Sequence, residues 1–151
     1  MAALEIQQEK LTQAGNVVIK AFSQINLPPK DLILALGDDL LILGYPLGFY
    51  DDLLNLPIVR SASIASVYPT PFRGNPYFLV DSRVFQGNSG SPVILKPTNY
   101  LVRKTGTSLL AGKVIFLVGV LSHTWPIYEG NEHLGLNAVW FSYLVEKLTS
   151  S

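Results

Sequence analysis

The sequence has no cysteine, which excludes a disulfide framework and any thiolate metal site while fitting the cytosol and the periplasm equally well. Charge is scarce as well: Asp, Glu, Lys and Arg make up 15% of the chain, against roughly 25% in typical soluble domains. The 11 basic residues balance 11 acidic ones, so no cationic excess exists to neutralise a phosphate backbone or to dock on an anionic membrane, and no nucleic-acid partner is expected. Long apolar runs are missing. The best, Val114 to Leu121, falls short of the roughly 18 residues of a spanning helix, so no membrane partner is expected either. Met1 to Glu5 lack the basic start and apolar middle of a signal peptide; as written the chain reads as soluble and cytoplasmic, with the compartment open. Histidine occurs only twice, at positions 123 and 133.

What is present is apolar matter: 48% of 151 residues are hydrophobic, enough for one globular domain with a core. Low charge at that hydrophobicity implies either a compact β domain with a Ser/Thr/Asn exterior or an apolar face kept for a partner. Ala2 to Gln13 holds helix formers without Gly or Pro and predicts a short N-terminal helix ending near Gly15. Beyond it the texture changes to short β-type runs at Asn16 to Phe22, Leu40 to Leu43, Ile58 to Tyr68, Tyr77 to Val80, Val93 to Leu95, Lys113 to Ser122 and Leu134 to Ala138. Pro28-Pro29, Gly44-Tyr45-Pro46, Pro69 to Pro71, Gly74-Asn75-Pro76 and Lys96-Pro97 separate them, a spacing that suits an antiparallel barrel or sandwich better than βαβ units. Phe141, Leu144, Val145 and Leu148 form a helix-face stripe, which predicts a C-terminal helix over Val139 to Leu148 packed on the β structure.

The sharpest local signal is Gln86-Gly87-Asn88-Ser89-Gly90-Ser91-Pro92, set between two β runs. A serine flanked by glycines in a tight loop exposes its hydroxyl, and the glycines let backbone N–H groups gather around a small anion-sized concavity. Acyl transfer needs that combination: a hydroxyl attacks a carbonyl, and preorganised amides, here those of Gly87 and Ser89, stabilise the oxyanion by about 2.7–4 kcal/mol per donor in other enzymes. The plain alternative is an ordinary Gly/Asn/Ser turn.

The order Gly44-Tyr45-Pro46-Leu47-Gly48, Phe78-Leu79-Val80-Asp81, Gly87-Asn88-Ser89-Gly90-Ser91-Pro92-Val93, Val118-Gly119-Val120-Leu121-Ser122, Leu134-Gly135-Leu136-Asn137 and a closing helix resembles the C-terminal barrel of a trypsin-like serine peptidase. It is most similar to the cysteine-free bacterial branch, with Gly-Asn-Ser-Gly at the nucleophile. The resemblance covers roughly residues 36 to 149. It implies a mainly β fold, a single six-stranded antiparallel barrel over residues 36–151 with a C-terminal helix. Residues 1–35 would then be an N-terminal segment holding the short helix and a remnant strand of a first barrel. It implies Ser89 as nucleophile, with Asn88 in the nucleophile loop and Gly87 with Ser89 as oxyanion hole. Ser122 and His123 would form the edge that pairs with a peptide or protein substrate as an added strand. Arg83, Phe85, Ser122, His123, Thr124, His133 and Gly135 would surround the pocket for the side chain before the scissile bond. Arg83, six residues before Ser89, falls where family members place the pocket floor. There it would favour an acidic side chain, while pairing with Asp81 or solvation is the plain alternative.

The resemblance breaks at the general base. In the family the triad runs His, Asp, Ser, and here no histidine precedes Ser89. Asn16-Val17-Val18-Ile19 is similar to the last strand of the first barrel, with Asn16 where the orienting aspartate would stand; Asp31, Asp38 and Asp39 also lie upstream. Without a base a serine hydroxyl is a weak nucleophile at neutral pH, so the chain alone is expected to be inactive or nearly so. His133 with Glu129 or Glu132 could supply the Ser, acid, His order of unrelated hydrolases. That arrangement uses a Gly-x-Ser-x-Gly elbow before a helix, whereas position 91 is Ser and Pro92 to Leu95 reads as strand.

Other candidates carry less. Gly44 to Gly48 lacks the Lys-Ser/Thr of a P-loop and reads as a turn. Asp38-Asp39 and Asp51-Asp52 read as solvated loop charges, and two histidines without cysteine make no zinc site, so neither metal nor cofactor is expected. Tyr45, Phe49, Tyr50, Tyr68, Phe72 and Tyr77 give packing at the core and rim, or a surface for peptide or self-association. Two functions stay open: a serine endopeptidase relative present as a half form, or a non-catalytic peptide-binding or assembly module. A bare face where a first barrel would pack predicts a homo-oligomer or cover by that barrel.

Overall fold

A computed structural model describes residues 20–126 and 133–149. Six strands close into an antiparallel barrel: β1 (Asp39–Gly44), β2 (Ile58–Ile64), β3 (Tyr77–Asp81), β4 (Pro92–Leu95), β7 (Leu117–Pro126) and β8 (His133–Phe141), in the order β1-β2-β3-β8-β7-β4. The chain is therefore mainly β, with a C-terminal helix α1 (Tyr143–Thr149).

Alternation along the strands dictates the barrel. Leu40 and Ile42 of β1 and Ala62 and Ile64 of β2 point inward and are buried, while their neighbours are wetter. In β3 both faces are covered, as its unbroken run Tyr77-Phe78-Leu79-Val80 requires. Phe78 and Val80 join Val93, Val118, Val139 and Phe141 in the core. Tyr77 and Leu79 face outward beneath a second layer of Phe72, Trp125 and Trp140. The Phe78 and Phe141 rings stack with centroids 5.5 Å apart, and Tyr68 meets both edge-on at 5.1 and 5.7 Å.

One irregularity positions the site. Leu121 of β7 pairs with Val139 and Thr124 with Asn137, so Ser122 and His123 together oppose Ala138 alone. This is a β-bulge, which takes both residues out of the ladder and re-aims them.

Several elements differ from the sequence expectation. The apolar run from Lys113 to Ser122 divides at Ile115-Phe116 between two strands. The hairpin β5 (Thr98–Arg103) and β6 (Gly106–Val114) was not expected, because β6 is exposed along almost its whole length and lacks period-two alternation. It is held instead by an N-terminal strap: Ile33 N donates to Val102 O at 2.9 Å, and Arg103 pairs with Asp31 at 3.5 Å. The helix begins at Tyr143 rather than Val139, since Val139 to Phe141 complete β8 and Phe141 is spent in the barrel core. Strand β2 ends at Ile64 rather than Tyr68, and Lys20 to Phe22 belong to no strand. The predicted N-terminal helix and Asn16 lie outside the described residues.

Candidate functional site

The loop from Phe85 to Ser91 is built by two successive turns, Asn88 N to Phe85 O at 3.1 Å and Ser91 N to Asn88 O at 3.0 Å. It is sewn to β7 by Gly90 N to Leu121 O and Leu121 N to Ser91 O, at 2.8 and 2.9 Å. On its other side Leu47 N donates to Gln86 O at 2.7 Å, fixing the loop to the chain after β1. Gly87 has φ +94°, and a Cβ there would stand 2.7 Å from the Tyr45 carbonyl, so glycine is needed on both counts. Gly44 is required by packing alone. A Cβ at 44 would strike Ser91 Oγ and lie 2.6 Å from Asn88 Oδ1.

Asn88 turns inward and is buried at 1% exposure, with Nδ2 lacking a partner among the described residues. Ser89 turns outward and is exposed. Its hydroxyl donates to the carbonyl of Ser122, in the bulge, at 2.7 Å. Among the described residues no imidazole nitrogen bonds that hydroxyl, and neither the Gly87 nor the Ser89 amide donates to a protein acceptor.

A pocket of about 730 Å³ opens beside Ser89. Its walls are the β3 exit with Arg83 and Phe85, the bulge with Ser122, His123 and Thr124, and the β8 entry with Leu134 and Gly135. Six of the residues expected around a side-chain pocket thus line one cavity with Ser89 and Asn88, while Gly87 lies outside its walls. The His133 side chain lies outside the described residues; its backbone pairs with Pro126.

His123 is exposed, with Nδ1 3.2 Å from Ser122 Oγ and its ring 6.0 Å from that of Tyr77 and 5.6 Å from that of Trp125. It faces an aromatic wall. Of the two plain alternatives for Arg83, no ion pair with Asp81 forms, but the side chain is exposed, with its guanidinium over the Phe85 ring at 5.4 Å. The upstream carboxylates are engaged elsewhere: Asp31 with Arg103, Asp38 with the Ala35 amide at 2.7 Å, and Asp39 with Lys96 at 2.8 Å. Asp51 caps its own loop through the Leu53 and Leu54 amides.

Two residues that support the site from behind its walls were given no role in the sequence reading. Asn137, fully buried, donates from Nδ2 to Ser82 O at 2.6 Å and Gly135 O at 2.9 Å, and accepts from Thr124 Oγ1 at 2.7 Å. It ties three pocket walls together. Arg60 places its guanidinium over Phe85 at 5.2 Å. Its signal was parity: it shares the inward register of Ala62 and Ile64, where a charge is out of place.

The fold and site define a mainly β protein with a closed six-stranded barrel, an exposed serine and an adjoining pocket. Compared with models of known protein families and with curated proteins, the chain matches none. Among the described residues no helix is long and apolar enough to cross a membrane.

Proposed function

We propose that this chain is a serine endopeptidase relative of the trypsin-like type. Ser89 is the nucleophile, the Gly87 and Ser89 amides form the oxyanion hole, and the pocket beside them takes the side chain preceding the scissile bond. The observation that carries the reading is the junction of an exposed hydroxyl, two uncommitted amides and an adjoining pocket on one glycine-bent loop. The hydroxyl needs a base to become a competent nucleophile, and its proton rests on a main-chain carbonyl instead. Among the described residues none supplies that base, so on this reading the chain by itself is expected to be inactive or nearly so, with the base supplied by a first barrel or a second copy.

A partner surface is consistent with that need. Leu47, Phe49, Leu53, Leu54, Leu56 and Val59 are exposed on and beside the segment that Gln86 anchors. The second reading, a peptide-binding or assembly module on the same fold, is favoured by the Ser89 to Ser122 bond, since among the described residues no imidazole bonds that hydroxyl.

Incubation with casein and with an activated ester tests the first reading. Turnover at background, with a serine-directed phosphonate labelling Ser89 only when a partner completes the site, is the expected result. Turnover by the chain alone that Ser89→Ala abolishes would show a base within it.

A further inference from the structure

The β5–β6 hairpin has no role in the proposed hydrolysis, and its two edges differ. The β5 edge is closed by the N-terminal strap, through the Leu32 to Arg103 bridge and the Ile33 amide, which donates to Val102 O at 2.9 Å. The β6 edge pairs with no strand other than β5 among the described residues, so its far side is open. Such an edge is a template for another extended chain, and proteins blunt the edges they do not use with charge, proline or twist. Gly106 to Gly112 carry neither charge nor proline.

The ladder fixes which groups the edge offers. Val102 directs its carbonyl to Ile33, away from β6, so its pairing with Thr107 is the kind in which neither residue bonds the other. Thr107 then turns its own N–H and C=O outward, and Leu109, two residues on and opposite Tyr100, does the same. Past Leu109 the register breaks, because Leu110 to Lys113 oppose Asn99 alone before Val114 meets Thr98. The usable edge is Gly106 to Leu109.

Side chains and charge select the occupant. Thr107, Leu109, Tyr100 and Val102 share one face of the hairpin, with Ile33 beside Val102, and Leu109 is 84% exposed at the margin of this stripe. An apolar side chain opposite Leu109 would extend the stripe by one strand. Arg103 and Lys104 stand at one end of the edge and Lys113 lies past the other, and Asp31 is the acid that pairs with Arg103. A second copy paired antiparallel about Ser108 would bring each Lys113 towards the other's Arg103 and Lys104, so like charges would meet at both ends. A strand with a carboxylate at each end meets cations instead.

We propose that the β6 edge, at Thr107 and Leu109, receives an extended segment of a partner protein as an added strand, uncharged in its middle, apolar opposite Leu109 and acidic at both ends. This docking is independent of the reading of Ser89 as a nucleophile.

The probe is acetyl-Glu-Thr-Val-Thr-Val-Thr-Glu-amide, titrated into the isotope-labelled full chain and followed by amide NMR. At saturation the Thr107 and Leu109 amides should exchange about tenfold more slowly, while that of Ser108, which faces β5, changes little. The same peptide N-methylated at both valines loses the donors that face the edge and should bind at least about tenfold more weakly. Lys in place of both Glu residues should weaken binding by about fivefold. Leu109→Pro removes an outward N–H that β5 does not use, at a place where an edge strand accepts proline, and should abolish the response; Leu109→Ser keeps that N–H and should weaken it only. Equal binding of the N-methylated peptide, a response centred on the pocket beside Ser89, or no response at about 1 mM peptide overturns the inference. Protection of Thr107 and Leu109 that grows with the concentration of the chain alone gives the edge to a second copy and overturns it as well. Equal affinity of the Glu-ended and Lys-ended peptides overturns the acidic partner.

Discussion

Ser89 Oγ donates to the carbonyl oxygen of Ser122 at 2.7 Å, joining the tip of the glycine-bent loop to the bulge of β7. The acceptor belongs to one of two residues the bulge removes from the ladder, which leaves its carbonyl free of a β8 partner and able to take the hydroxyl. An added peptide strand would seek the same carbonyl for its own N–H.

Replacing Ser89 with Ala removes one neutral hydrogen bond at an exposed position. The expected loss of stability is about 1 kcal/mol or less in urea denaturation. A loss several times larger would mean that the bond organises the whole loop.

Gly119→Ala should be far more damaging. A Cβ there would strike the Trp140 carbonyl and a Val139 methyl, and backbone in the β7–β8 ladder cannot move aside cheaply. A loss of about 3 kcal/mol or more is expected, read as a lowered urea midpoint. Gly90→Ala, with open space around its Cβ but φ +88°, should cost only about 1 kcal/mol.

Asn137→Leu deletes three hydrogen bonds at a fully buried position and strands the Ser82 carbonyl, while the Gly135 carbonyl keeps only its bond from the Ser82 amide. The cost should be about 3 kcal/mol. Amide exchange should rise first at Ser82, whose own N–H bonds to Gly135 O at 3.0 Å across the same pocket wall.

Burial against Phe78 and Phe141 pushes the Tyr68 hydroxyl up to about 12. The folded protein then holds that proton more tightly than the unfolded chain, which releases it near pH 10. The stability contribution is intact below about pH 10 and is lost as pH rises towards about 12. Tyr68→Phe should escape this loss, gaining on the native protein by on the order of 2 kcal/mol across that interval in denaturant titrations.

The exposed Leu47, Phe49, Leu53, Leu54 and Leu56 predict self-association, a two-fold pair being the commonest closed solution. Light scattering should show mass rising with concentration. Leu53→Lys with Leu54→Glu should return a monomer, and a monomer at every concentration in the native chain would refute the expectation.

Local chemistry had already set much of this. Alternation at Leu40 to Leu43 and Ile58 to Ile64, and the doubly apolar run Tyr77 to Val80, fixed which strands form and which face turns inward, because side-chain direction follows the backbone period. The glycines at 87 and 90 marked the loop that exposes Ser89, since few other residues take positive φ. Tertiary structure alone decided the rest. The fate of Phe141 as core strand rather than helix face depended on its stacking with Phe78, which no spacing within the chain reveals. The β5–β6 hairpin rests on a strap some seventy residues earlier in sequence. Arg60 reaches Phe85, and Asn137 joins Ser82 to Thr124, only once the barrel has closed, because closure brings distant strands within the few ångströms over which cation–π contacts and hydrogen bonds act.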